Sequence, residues 1–198
     1  MRVPELNSET VYRTYMWRAV MSDGLERGEW LQAGHCWIMR GTILRLSDSG
    51  PTEVRYEITT DDKWLTRTAN ISCETDRGKK ELRITRDNES WYANGKRLQL
   101  PKGCMDVDLA WSPCTNTLPI RRLNLSIGSN SGLLIAAWVR LPELTVESLP
   151  QSYERTGPQT YIYTSRGGFR AALSLDEDDL VVDYEGVWKR IGENKNGE

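Results

Sequence analysis

The chain has 198 residues, enough for one domain that buries roughly 70% of its unfolded surface without help from disulfides or a metal. At pH 7, 26 Lys and Arg face 28 Asp and Glu; the net charge of −2 supplies no basic field for a phosphate backbone and excludes general nucleic-acid binding. With 38% hydrophobic and 27% charged residues, the composition is that of a globular domain and excludes a disordered or membrane-embedded one.

In chain order, Met1 to Ser8 contains no apolar h-region, which predicts no signal peptide and a cytoplasmic setting. Residues 8–20 are one of two short stretches that best fit a helix; the other is 147–155, where Pro150 would break it. Between and beyond them the punctuation is that of an all-β protein. Turns are expected at Asp23-Gly24, 48–51, 76–78, Asn94-Gly95, 128–132 and Gly167-Gly168. Period-two alternation marks strands at Val54, Tyr56 and Ile58, at Met105, Val107 and Leu109, and at Leu123, Leu125 and Ile127. The seven apolar residues Leu133 to Val139 predict a strand covered on both faces, and are far too few to span a membrane, so no integral membrane association is expected. The terminal run Gly192 to Glu198 is polar and predicts a frayed end.

Cys36, Cys73, Cys104 and Cys114 lack CxxC spacing and predict free, mostly buried thiols in a reducing compartment. His35 is the only histidine, which excludes zinc sites built on two or more; its setting beside Cys36 and Trp37 predicts a structural role. No metal or cofactor is expected. Aromatic choice is uneven: eight Trp and eight Tyr against one Phe. Indole and phenol combine apolar area with a polar tip and suit half-wet cavities as well as cores.

A faint internal repeat links Val54 to Thr59, followed by Trp64, with Gln159 to Thr164, followed by Phe169. The expected units are about 40–100 and 135–191, two related halves of a single domain spanning 1–198, with Trp64 and Phe169 sharing a packing role. Chance similarity between two antiparallel hairpins is the competing explanation.

The least ordinary segment is 103–127. On a strand, Asp106 and Asp108 share one face, roughly 6.6 Å apart along the chain. Pro113 and Pro119 bracket a rigid crossing, and the next strand would open with Arg121 and Arg122. The stretch Asp106-Val107-Asp108-Leu109 followed by Ser112-Pro113-Cys114-Thr115-Asn116-Thr117-Leu118-Pro119-Ile120-Arg121-Arg122-Leu123 resembles a bacterial family labelled "putative glycolipid-binding", and the resemblance runs almost end to end. Trp64 with Arg67, Asn94-Gly95, Gln151 with Tyr153, and Phe169 fall where that pattern places them; Cys114 departs from it, standing where an aromatic is expected. The resemblance implies a mainly antiparallel β-roll or partly open barrel with few short helices. It carries no catalytic residues. By structural analogy it implies a glycolipid or lipid ligand.

Three functions fit these observations. The first is non-catalytic binding of an amphipathic ligand, a glycolipid or fatty-acyl compound, in a β-lined cavity whose mouth holds Trp64, Arg67, Asp106, Asp108, Asn116, Arg121, Arg122, Gln151 and Tyr153. The same acids and arginines could instead simply pair with one another. The second is a glycoside hydrolase using Asp106 and Asp108 as its carboxylate pair. No nucleophile elbow, P-loop or dinucleotide fingerprint supports an enzyme of another kind. The third is a protein-interaction module presenting exposed tryptophans. Oligomeric state is not set by the sequence.

Overall fold

Strands form wherever apolar side chains recur at every second residue, and nearly the whole chain does this. The structure, a computed structural model, describes residues 9–195. Fifteen strands join into one sheet: β1 (Thr10–Ala19), β2 (Gly24–Ala33), β3 (Cys36–Ser47), β4 (Gly50–Thr60), β5 (Thr66–Thr75), β6 (Gly78–Asp87), β7 (Ser90–Ala93), β8 (Lys96–Arg97), β9 (Cys104–Leu109), β10 (Leu134–Arg140), β11 (Thr145–Gly157), β12 (Thr160–Ser165), β13 (Arg170–Leu175), β14 (Val181–Tyr184) and β15 (Trp188–Lys195). The single α-helix among the described residues, α1 (Thr117–Leu123), follows a 3-10 turn at Cys114–Asn116.

The spatial order is a meander from β8 back to β1, then β15 back to β9, so that β1 pairs with β15 at the middle. Every pairing is antiparallel except β9 with β10. The sheet is not closed into a barrel, but it curls far enough for its ends to meet. Trp91 on β7 donates its indole N–H to the carbonyl of Cys104 on β9 at 2.9 Å, and the Val107 amide donates to Thr66 Oγ1 of β5 at 3.1 Å. This is the partly open β-roll expected from the sequence. The run expected to be covered on both faces is so only in part: Ala136, Ala137 and Val139 of β10 are solvent-free, Leu134, Ile135 and Trp138 are half-buried, and Leu133 lies before the strand and is 75% exposed.

Several expectations fail. Both expected helices are strands: in 10–19 Tyr15, Trp17 and Ala19 face inward at period two, and in 145–157 Leu149, Gln151 and Tyr153 do the same, with Pro150 accommodated inside β11. Residues 123–127 are not a strand. Leu123 ends α1, and Asn124 closes it in the left-handed region with its amide on the Ile120 carbonyl, so Arg121 and Arg122 project from a helix. Seven residues cannot sustain a helix by propensity; α1 persists because Leu118 and Ile120 are buried inside the roll. The polar end does not fray through Lys195: Gly192 to Lys195 pair with Met16 to Arg13, and Lys195 bonds Glu177 and Asp178. Residues 196–198 and residues 1–8, where no signal peptide is expected, lie outside the described residues. His35 is exposed at the β2–β3 hairpin tip, where no packing role is available to it. Trp64 is buried but Phe169 is 43% exposed, so the two do not share one packing role. Cys73, Cys104 and Cys114 are buried free thiols and Cys36 is half-buried.

Candidate functional site

The interior that would form a large central chamber is occupied by the 3-10 turn and α1, and most of the expected mouth residues hold that plug in place. Arg122 reaches back from α1 to Asp106 on β9, its Nε on Oδ1 at 3.1 Å and Nη2 on Oδ2 at 2.6 Å. Burial pushes the Asp106 carboxyl upward, and the guanidinium opposes that shift. Arg121 lies between two indoles, its guanidinium 4.9 Å from the Trp30 ring and 4.8 Å from the Trp64 ring, while Nε donates to the Asp178 carbonyl at 3.0 Å. Trp64 stacks on Trp37 at 5.2 Å. Arg67 sits on the surface, paired with Asp61 at 2.7 Å. Tyr153 donates to Asn116 Oδ1 at 2.9 Å, and Tyr163 donates to Gln151 Oε1 at 3.0 Å.

Of the expected residues, Asp108 faces open space, and Asn116 backs the same space while its amide is engaged at both ends, Nδ2 donating to the Pro113 carbonyl at 3.0 Å and Oδ1 accepting from Tyr153. Asp108 and Asn116 line a cavity of about 440 Å³ at one end of the roll. Asp108 stands beside Trp138 in the parallel register of β9 and β10, which puts both side chains on the same face. Tyr163 and Tyr184 contribute one wall, edge to face at 5.9 Å, and Phe169 packs against both. Trp111 and Trp188 contribute another, and Arg140 and Arg166 stand at the rim. Trp111 holds φ at 69°, a left-handed conformation that costs a bulky L-residue roughly 1–3 kcal/mol and concentrates at functional sites. Arg45 stacks on its ring at 4.8 Å and holds it there.

Asp108 has no hydrogen-bond or ion-pair partner among the described residues. Burial, with a smaller contribution from Asp106, pushes its carboxyl up to about 7. No nearby guanidinium pairs with it: Arg122 is on Asp106, Arg140 leans on Glu147 and over the Trp138 ring at 5.2 Å, and Arg166 leans on Glu147 and donates to the Ser148 carbonyl. The two aspartates do share a face, but Asp106 is bound through both oxygens by Arg122, so the pair is not presented together to a substrate as a glycosidase requires.

Behind the cavity lies a second acid with no basic partner. Glu26 is fully buried; its Oε1 accepts from Tyr56 Oη at 2.5 Å and from Ser112 Oγ, a cavity-lining residue, at 2.8 Å. Among the described residues its Oε2 has no hydrogen-bond partner. Burial raises the Glu26 carboxyl to about 8, against the two hydrogen bonds that lower it.

Sequence reasoning missed Glu26, Ser112, Trp111, Trp138, Tyr163 and Tyr184. The alternation of the cavity tyrosines marks them only as inward-facing, and nothing local distinguishes a ring against a cavity from a ring in solid packing. None of the tryptophans is fully exposed: Trp37, Trp111 and Trp138 are half-buried and the others buried, so no flat indole-rich face is presented to a partner.

Three comparisons bear on the site. The family model described as "Putative glycolipid-binding" matches residues 14–190. The crystal structure of a DUF1089 family protein from Pseudomonas aeruginosa superposes with a TM-score of 0.78 at 30% identity, over 88% of this chain and 95% of that one. No curated protein matches.

Proposed function

This chain belongs to the "Putative glycolipid-binding" family, and from that premise we propose that it binds an amphipathic ligand, a glycolipid or fatty-acyl compound, without catalysis, in the cavity between Asp108 and Trp111. One observation carries the reading. Asp108 is a carboxyl with no protein partner, facing an aromatic-lined space of about 440 Å³. Ligand cavities have this construction, mostly apolar with few fixed polar groups. Indole and phenol rings cover the faces of a sugar or the start of an acyl chain, and the Asp108 carboxyl bonds hydroxyls. Of the nine residues expected to bind ligand, Asp108 is the one this reading assigns to the ligand, and Asn116 backs the cavity with its amide held by Pro113 and Tyr153. Gln151 and Tyr153 position their neighbours, Trp64, Arg121, Arg122 and Asp106 fasten the plug, and Arg67 lies outside the site.

A cytosolic, reducing setting belongs to the same reading and is supported by the unpaired buried thiols of Cys73, Cys104 and Cys114. Among the described residues no helix is long and apolar enough to cross a membrane.

Titration of intrinsic tryptophan fluorescence with dodecyl maltoside below its micelle concentration tests the proposal, beside native mass spectrometry of protein purified from its own host. Saturable binding, weakened at least tenfold by Trp138→Ala at unchanged melting temperature, is the expected result. The absence of both co-purified lipid and a saturable response to any acyl amphiphile would overturn it.

A further inference from the structure

We propose that the cavity selects ligands that carry a cationic nitrogen, an ammonium or quaternary ammonium group, with Asp108 as the counter-charge and the rings of Tyr163 and Tyr184 as the faces on which the cation rests, the Trp138 ring already carrying the Arg140 guanidinium at 5.2 Å. This rests on the amphiphile reading above and names its ligand class. Three features point to it. Asp108 is isolated from protein cations: Arg122 is held by Asp106, and the rim arginines Arg140 and Arg166 both lean on Glu147. A half-buried carboxyl left without a donor carries a desolvation cost that a positively charged ligand offsets more fully than a neutral hydroxyl does. Electron-rich ring faces around an acid form the chemistry that recognises an ammonium in competition with water. A neutral sugar uses the same rings but leaves the charge unopposed.

The proposal has a pH signature. The groups facing Asp108 are Asp106 on its own strand, Cys114 from the 3-10 turn, Tyr153, Tyr163 and Tyr184 from β11, β12 and β14, and the rim pair Arg140 and Arg166. Burial raises the thiol and the three phenols, so they stay neutral below pH 9. Asp106 is paired with Arg122 through both oxygens. Asp108, near 7 when the cavity is empty, is therefore the group on the cavity wall whose ionisation changes over the working range; Glu26, raised to about 8, also titrates there but lies behind Ser112 and does not face Asp108, so its contribution survives Asp108→Asn and is separated by that variant. A bound cation favours its charged form, so cation binding releases a proton and strengthens as pH rises from 6 to 8.

The test titrates the full chain with three single-chain probes of equal length below their micelle concentrations: dodecyltrimethylammonium, dodecyl maltoside and dodecanoate. At pH 8 the ammonium probe should bind at least tenfold more tightly than the maltoside. Its affinity should fall about tenfold on going to pH 6, while that of the maltoside does not fall. Asp108→Asn, with melting temperature as the check on folding, should erase the preference and its pH dependence. Equal affinity for ammonium and maltoside overturns the cation inference and leaves the amphiphile reading standing; so does tightest binding of dodecanoate, which would assign the head group to the rim arginines. Binding of none of the three overturns both. The probe ranking and the pH dependence are read on the unmutated protein, so they decide the matter even if Asp108→Asn fails to fold.

Discussion

Arg122 and Asp106 form a buried two-point ion pair, Nε to Oδ1 and Nη2 to Oδ2, that ties helix α1 to strand β9. A carboxylate so placed is stable only while its partner is present. Arg122→Ala leaves Asp106, 2% exposed, without a counter-charge, and should destabilise the protein by about 3–5 kcal/mol. For a domain of this size each kcal/mol lowers the melting temperature by roughly 2–4 °C. Adding Asp106→Leu removes the stranded charge and should recover part of the loss. Denaturant unfolding of both variants checks this; an unchanged midpoint for the single variant would count against a structural role for the pair.

Arg121 is expected to behave as packing, not as a head-group ligand. Its guanidinium lies within 5 Å of both the Trp30 and the Trp64 rings. Desolvated contacts of this kind contribute up to about 2 kcal/mol each. Arg121→Ala should lower thermal stability while amphiphile affinity per folded molecule stays unchanged, read by pairing thermal unfolding with fluorescence titration.

Glu26 predicts a stability slope on the alkaline side of its ordinary pKa. The unfolded carboxyl ionises near 4.5 and the folded one near 8. Between those values the folded state binds the extra proton, so Glu26 makes stability fall as pH rises, by at most about 1.4 kcal/mol per pH unit. Glu26→Gln keeps the acceptor for Tyr56 and Ser112 and abolishes the titration. The variant should be the more stable protein at pH 8 and should lose this slope between pH 5 and 8, measured by urea unfolding at several pH values.

Two glycines opposite one another, Gly28 and Gly41, lie in one cross-strand row between Tyr15 and Tyr56. Each tyrosine ring folds back over the neighbouring glycine. A Cβ on Gly28 would lie 2.1 Å from Tyr15 Cε2, and one on Gly41 would lie 2.5 Å from the Tyr56 hydroxyl. Gly28→Ala and Gly41→Ala should each cost at least the roughly 1–3 kcal/mol of overpacking. Combining Gly28→Ala with Tyr15→Leu should cost less than the sum of the two changes. A fully additive double variant, measured by denaturant midpoints, would refute the contact.

The fold was legible where alternation is unambiguous. Val54, Tyr56 and Ile58 face inward as their spacing requires, and the apolar run after Leu133 is strand β10, covered in part. It was illegible where tertiary contacts overrule local pattern. Leu123, Leu125 and Ile127 alternate like a strand, yet the chain is already helical at Leu123 because Asp106 and the Trp30 and Trp64 rings hold the two arginines. At the site, the shared face of Asp106 and Asp108 followed from strand geometry. Their opposite fates did not, because the deciding partner stands sixteen residues from Asp106 in the chain. Glu26 gave a misleading signal: its neighbour Leu25 is 41% exposed while the acid is buried, the reverse of ordinary alternation.

The meeting of β1 with β15 dictates when the body can be completed. Arg13 finds its counter-charges in Asp176, Asp178 and Glu193, all supplied more than 160 residues later, and Arg13 itself is buried. During synthesis the meander from β1 therefore waits with one flank unpaired and a guanidinium unneutralised until β15 has left the ribosome. Contacts so distant in sequence make folding slow, and the exposed flank of β1 is the edge at which a nascent chain would recruit a neighbour if its own last strand came late.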